Sequence, residues 1–177
     1  MVHERVYGSV LPISSLLYQG STYDLGWDGR RDGSMDSCAL PTADFAMFLI
    51  NAVKFQCGQL YHLFDEKVFM DQFNKFYETG SDTNQCSVLW YIHYLLILAF
   101  GKAFLVRAEK GRRPPGAELF VQAMKILPDI TFLFTDPLQS IEILCCAALY
   151  LQCLDSRSAA YNLVRCTASM KGNIMLT

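Results

Sequence analysis

The sequence predicts an all-α fold: an antiparallel helix-hairpin array of about six helices that forms a partial domain. Apolar residues recur every three to four positions in successive windows separated by Pro and Gly, which is the spacing of a helix face. An uncharged run from Val88 to Gly101 is apolar on nearly all sides, as a central buried helix is. No stretch alternates apolar and polar residues over a strand length between turn residues, so a sheet has little support.

Residues 1–39 carry Gly8, Pro12, Gly20, Gly26, Gly29 and Gly33 without a sustained helical period and read as a poorly ordered lead-in; residues 40–177 read as the helical domain. Pro41 and Thr42 open a helix over residues 42–59 with Phe45, Phe48, Leu49, Ala52, Val53 and Gln56 at helical spacing. A second segment runs through Val68, Phe69, Phe73 and Phe76 to Gly80, and Asp65 and Glu66 stand where the helix dipole favours acids. The long apolar helix is expected over residues 87–107. Pro114 and Pro115 then stop any helix before them and pre-set the next, residues 117–127, whose stripe is Leu119, Phe120, Ala123, Met124 and Leu127. Pro128 ends it. Asp136 and Pro137 open a helix whose expected core face is Leu138, Ile141, Leu144, Cys145, Ala148 and Leu151. Residues 156–171 form the last, with Ala159, Ala160, Leu163, Cys166 and Met170 facing inward. Short loops make neighbours into antiparallel hairpins, and no period of about 34 or 40 residues recurs to suggest a solenoid.

With 52% apolar and 18% charged residues over 177 positions, the chain is long and apolar enough to bury a core. Its formal charge of −2 comes from interspersed acids and bases, so it lacks the positive field that holds a protein on phosphates, and direct nucleic-acid binding by this segment is not expected. Seven cysteines, an odd number lying mostly in apolar helical patterns, suggest reduced and buried thiols inside the cell. No basic stretch leads into an apolar core after Met1, so no cleaved secretory leader is read. Val88 to Gly101 is shorter than the roughly 20 residues that cross a bilayer, which makes a buried core helix the first reading and a membrane-associated helix over residues 88–106 the alternative.

Catalytic, metal and cofactor residues are not expected. Cys145, Cys146 and Cys153 suggest soft-metal ligands at first sight, but adjacent positions point apart and Cys145 and Cys153 lie two turns away from each other, so they read as core. His3, His62 and His93 have no orienting partner in sequence; His62 reads as a surface or capping residue and His93 as a satisfied core histidine. Lys110, Arg112 and Arg113 read as a solvated loop, being flanked by Glu109 and Glu118 without interleaved aromatics. Phe69, Phe73, Trp90 and Tyr94 belong to an aromatic set able to line an effector pocket between helices, the common place for small-molecule sites.

Read in order, the helices resemble the fungal-specific transcription factor domain, the middle homology region of fungal zinc-cluster regulators. The resemblance spans about residues 40–171. Leu40-Pro41-Thr42 through Tyr61, Leu63, Phe64 and Phe69 is similar to the family's opening Leu-Pro, helix and aromatic-rich turn. Leu95 to Gly101 resembles its apolar segment ending in Ala, then Phe or Ile, then Gly, and Phe120 to Pro128 resembles Phe-x-x-Ala-x-x-x-Leu-Pro. Ile143 to Leu154 resembles its apolar helix with a terminal Tyr-Leu, followed by Ala160-Tyr161 and the region of Ala168. Lys171 to Thr177 departs from the Gly-Leu-His with which the family commonly continues, so the domain reads as truncated at its C-terminal end.

The resemblance implies regulation of RNA polymerase II transcription in a nucleus, by a module that is not an enzyme. Zinc and DNA binding would belong to a separate N-terminal cluster, because no pair of cysteines here has the C-x₂-C spacing that cluster needs. The implied partners are proteins, a second copy through helix contacts, or a small-molecule effector. The alternatives are the membrane-associated helix and a helical interaction scaffold unrelated to transcription.

Overall fold

The computed structural model describes residues 39–83, 86–105 and 113–174, and within these the side chains of residue 130 and residues 171–174 are left aside. The lead-in expected over 1–39 falls outside the described residues except for Ala39. The described elements are α1 (Ala43–Cys57), α2 (Glu66–Glu78), α3 (Val88–Leu105), α4 (Ala117–Ile126), α5 (Ile130–Leu133), α6 (Pro137–Cys153) and α7 (Arg157–Ile174). No strand occurs among the described residues, and the all-α fold holds.

Local chemistry sets the helix starts. Asp65 caps α2 by accepting from the Val68 amide at 3.0 Å, and Asp136 caps α6 by accepting from the Gln139 amide at 3.2 Å, with Pro137 in the first turn. Each cap satisfies one of the amides that a helix start leaves without a carbonyl. The one-turn helix α5 was not expected from periodicity, since four residues are too few to show one. Its signal is the cap: Asp129 accepts from the Thr131 and Phe132 amides at 3.0 and 3.1 Å.

Helix α3 is the axis of the fold. Every residue from Leu89 to Gly101 is buried, with α1, α4 and α6 packed against it and α2 meeting it through aromatic rings. Helices α6 and α7, joined by residues 154–156, fold back on each other as a hairpin. By length and composition α3 is apolar enough to cross a membrane, its 18 residues reaching further than the uncharged run suggested. Here 72% of that window is buried inside the protein, so its apolar surface is occupied by the other helices.

Two glycines permit the close packing. A Cβ on Gly101 would stand 2.6 Å from the Leu49 Cβ and 2.8 Å from the Leu49 carbonyl oxygen, so α1 and α3 touch there backbone to backbone. Gly116 has φ of +82°, and a Cβ on it would lie 2.4 Å from the Ala99 carbonyl oxygen. The Pro-Pro-Gly turn therefore presses on α3 two residues from the point where α1 does.

Two faces are rotated from expectation. In α1 the inward residues are Ala46, Leu49, Ile50 and Val53, whereas Phe45, Phe48 and Phe55 are 42%, 56% and 80% exposed. In α6 the buried face runs through Ile143, Leu144, Cys146, Ala147, Ala148, Tyr150 and Leu151, while Leu138 is exposed and Ile141 and Cys145 half-buried. Both helices carry more apolar positions than one face can hold, and the position of α3 decides which go in.

Candidate functional site

The four aromatics singled out in the sequence are brought together between α2 and α3. Trp90 and Tyr94 stack at 5.3 Å between centroids, Phe69 lies 5.9 Å from Trp90, and Phe73 lies 6.1 Å from Tyr94. Phe76, between Trp90 and Tyr94 at 5.4 and 5.8 Å, completes the cluster. All five are buried, so in this conformation the rings fill the α2–α3 interface.

The polar tips of this cluster are tied to backbone. Trp90 Nε1 donates to the Phe69 carbonyl at 3.3 Å. The Tyr77 hydroxyl donates to the Pro41 carbonyl at 2.8 Å, which leaves Tyr94 as the donor in the 2.7 Å contact between the two phenols. Burial raises the pKa of both phenols, so they stay protonated and the relay holds one direction. The Leu-Pro opening is thereby anchored to α2 and α3. His93 is 1% exposed, and its Nε2 lies 2.9 Å from the Leu63 carbonyl, an acceptor that fixes the proton on Nε2. Burial lowers its pKa to about 4 and outweighs the Leu63 hydrogen bond, so the ring is neutral near pH 7. It closes the α1–α2 connection onto α3.

At the edge of the cluster a cleft of about 200 Å³ is lined by Gln72, Phe76 and Cys86, and larger open space lies elsewhere. A cleft of about 420 Å³ is lined by Val53, Lys54, Tyr61, His62 and Phe64 at the end of α1, beside the Lys54–Glu66 ion pair. His62 is exposed, as expected, and stands 3.6 Å from Glu142. A second cleft of about 220 Å³ is lined by Cys57, Phe100, Phe104, Leu149 and Cys153. Among the described residues the thiols are free, but only Cys146 is fully buried; Cys153, at the end of α6, is exposed, and Cys57, Cys86, Cys145 and Cys166 are half-buried. Burial raises the Cys57, Cys145 and Cys146 thiols, which keeps them protonated and weakly nucleophilic. Among the described residues no group of three His, Cys, Asp or Glu side chains is placed to hold a metal. Lys110 and Arg112 lie outside the described residues, and Arg113 is exposed.

The packing gives a steric reason for several of the sequence features that carried the resemblance, though not for Tyr161, which is exposed. The Ala-Phe-Gly segment sits where α1 and the Pro-Pro-Gly turn press on α3. Phe120 stacks on Tyr150 at 4.5 Å, Phe100 meets Tyr150 edge-on at 5.4 Å, and the Tyr150 hydroxyl donates to the Pro115 carbonyl at 3.3 Å. A family model described as the fungal specific transcription factor domain matches residues 47–177, which is more than half of the chain. The chain belongs to the fungal-specific transcription factor domain family. That family is not an enzymatic one. No curated protein and no solved structure matches the chain.

Proposed function

We propose that this fungal transcription factor domain is a regulatory module in the nucleus, which adjusts RNA polymerase II transcription through helix–helix contacts and not through chemistry of its own. The observation that carries the reading is the family match over residues 47–177. The interior is consistent with it: ring-packed aromatics, a neutral histidine bonded to backbone and protonated thiols offer a surface rather than a reaction centre. DNA and zinc binding belong, in this proposal, to another part of the regulator. An effector entering at Phe69, Phe73, Trp90 and Tyr94 would have to displace rings that now pack on one another.

The test is a tethered reporter. The chain, fused to an unrelated DNA-binding domain with and without an activation segment, is placed upstream of a reporter in a fungal cell. A several-fold change in output in either setting is expected. Unchanged output in both, with the fusion present at normal abundance in the nucleus, would remove the regulatory reading.

A further inference from the structure

The end of α1 meets the face of α6 that carries two cysteines. Cys57 is the last residue of α1 and Cys153 the last of α6, and both line the cleft of about 220 Å³ walled by Leu63, Phe100, Phe104 and Leu149. Cys146 lies seven residues before Cys153, hence on nearly the same face of α6 two turns away. It is fully buried, whereas Cys57 is half-buried and Cys153 exposed. Burial and then the charge of Cys153 raise the Cys57 thiol, and burial and then the charge of Cys57 raise the Cys146 thiol. Cys57 is therefore within electrostatic reach of both α6 cysteines, and of the two it shares the cleft with Cys153.

Among the described residues no three ligands converge on a metal position, which leaves bond formation between two sulfurs as the chemistry open to this group. A disulfide needs Cα atoms within about 4.4–6.8 Å of each other. Both cysteines occupy the last turn of a helix, the part that opens and adjusts most cheaply, so the two ends can close without moving the buried length of α3. The product suits the cleft. A disulfide carries no charge and lies against Leu63, Phe100 and Leu149 without the desolvation that burdens either thiolate. Exposure divides the roles: an oxidant in solution reaches Cys153 first, and the half-buried, protonated Cys57 is the second sulfur to react.

We propose that Cys57 and Cys153 form a reversible dithiol–disulfide site, oxidised by hydrogen peroxide and reduced by a cellular thiol, that staples the end of α1 to the end of α6. The Cys153 sulfur attacks one peroxide oxygen; an S–O bond forms, the O–O bond breaks, and the other oxygen leaves as water with the thiol proton, giving a sulfenic acid. The Cys57 sulfur attacks the Cys153 sulfur; the S–S bond forms, the S–O bond breaks, and the departing hydroxide takes the Cys57 proton as water. Two thiols lose two electrons and one peroxide becomes two waters. A thiol reductant returns the electrons through a mixed disulfide. Intracellular bridges of this kind are transient and redox-sensing rather than permanent. The proposal does not rest on the transcriptional reading, and its readout is a covalent bond rather than reporter output.

Peptide mapping of the full chain tests it. The reduced, native protein is treated with hydrogen peroxide, blocked with N-ethylmaleimide in urea, digested without reductant and read by mass spectrometry. The expected product is a peptide pair joined at Cys57 and Cys153, lighter than the separate peptides by two hydrogens and released by dithiothreitol. Closing a loop of roughly 100 residues should raise the melting temperature of the oxidised chain by about 5–10 °C over the reduced one. Dimedone, which captures sulfenic acid, reads the order of events. Cys57→Ser should accumulate its adduct on Cys153 several-fold, Cys153→Ser should leave Cys57 unlabelled and unlinked, and Cys166→Ser should behave as the parent. If either serine variant fails to fold by far-UV spectrum, the map of the parent chain decides. No bridge, a bridge joining any other pair or two copies, or one that lowers the melting temperature overturns the proposal. So does a Cys57–Cys153 bridge that forms as readily in urea, because the fold is then not what pairs the sulfurs.

Discussion

At the scale of single residues, His93 couples stability to pH. Its folded pKa of about 4 lies below the ordinary value of 6.5, so the native state holds the ring neutral while the unfolded chain takes up a proton first. The contribution is present in full above pH 6.5 and is lost as pH falls toward 4, with a span of about 3 kcal/mol at most. Urea unfolding of the parent and of His93→Gln between pH 7.5 and 4.5 checks this, since the variant keeps a side-chain amide donor but does not titrate. The parent should lose stability relative to the variant across that window; parallel curves would show that the imidazole does not titrate as the burial implies. Glu118 loses its contribution lower on the scale: burial alone would raise its pKa, but the Lys102 ammonium at 2.7 Å holds it below the usual carboxylate range. Gly101 is the other sensitive position. Gly101→Ala forces apart α1 and α3 at Leu49 and should destabilise by about 2–4 kcal/mol, as overpacking of rigid backbone does, despite the higher helix propensity of Ala. An unchanged melting temperature would mean that the helices can separate freely there.

At the scale of elements, the long periodic helices were legible and the choice of face was not. All six expected helices form, because each has an apolar stripe of nearly three turns or more, or a capped or Pro-Gly start, that periodicity and turn chemistry reveal. α5 escaped because one turn has no period; only Asp129 two residues before Thr131 marks it. The α1 stripe was read as one surface when it is two, and the ring cluster of Phe69, Phe73, Trp90 and Tyr94 was legible as a set but not as filled space. Sequence gives which residues are apolar, while burial depends on where α3 crosses and on Gly101 allowing it close. The caps give a prediction at this scale. Asp65→Ala removes the acceptor for the Val68 amide at the exposed start of α2 and should cost about 1 kcal/mol, measured as a lowered denaturation midpoint. Asp65→Asn should recover most of the loss, which a purely electrostatic effect on the dipole would not allow.

At the scale of the molecule, α3 makes the fold one cooperative body. The α2 side reaches it through Phe69, Phe76, Trp90 and Tyr94, and the α4 and α6 side through Phe100, Phe120 and Tyr150, so both ends of the core share the same helix. A membrane-spanning role for α3 would require thirteen buried residues, Leu89 to Gly101, to leave the helices that now cover them. If α3 transmits packing along its length, damage at either end must lower the stability of the whole. Phe76→Ala on α2 and Phe120→Ala on α4 should each cost about 3–5 kcal/mol, since both side chains are buried and leave cavities. In each variant, ring-sensitive near-UV and helix-sensitive far-UV signals should shift together to one lower midpoint, the signature of two-state unfolding. A Phe120→Ala protein that loses the α4 and α6 signals while the Trp90 environment persists would instead divide the fold at α3 into two independently stable halves, and the single-axis account would fail.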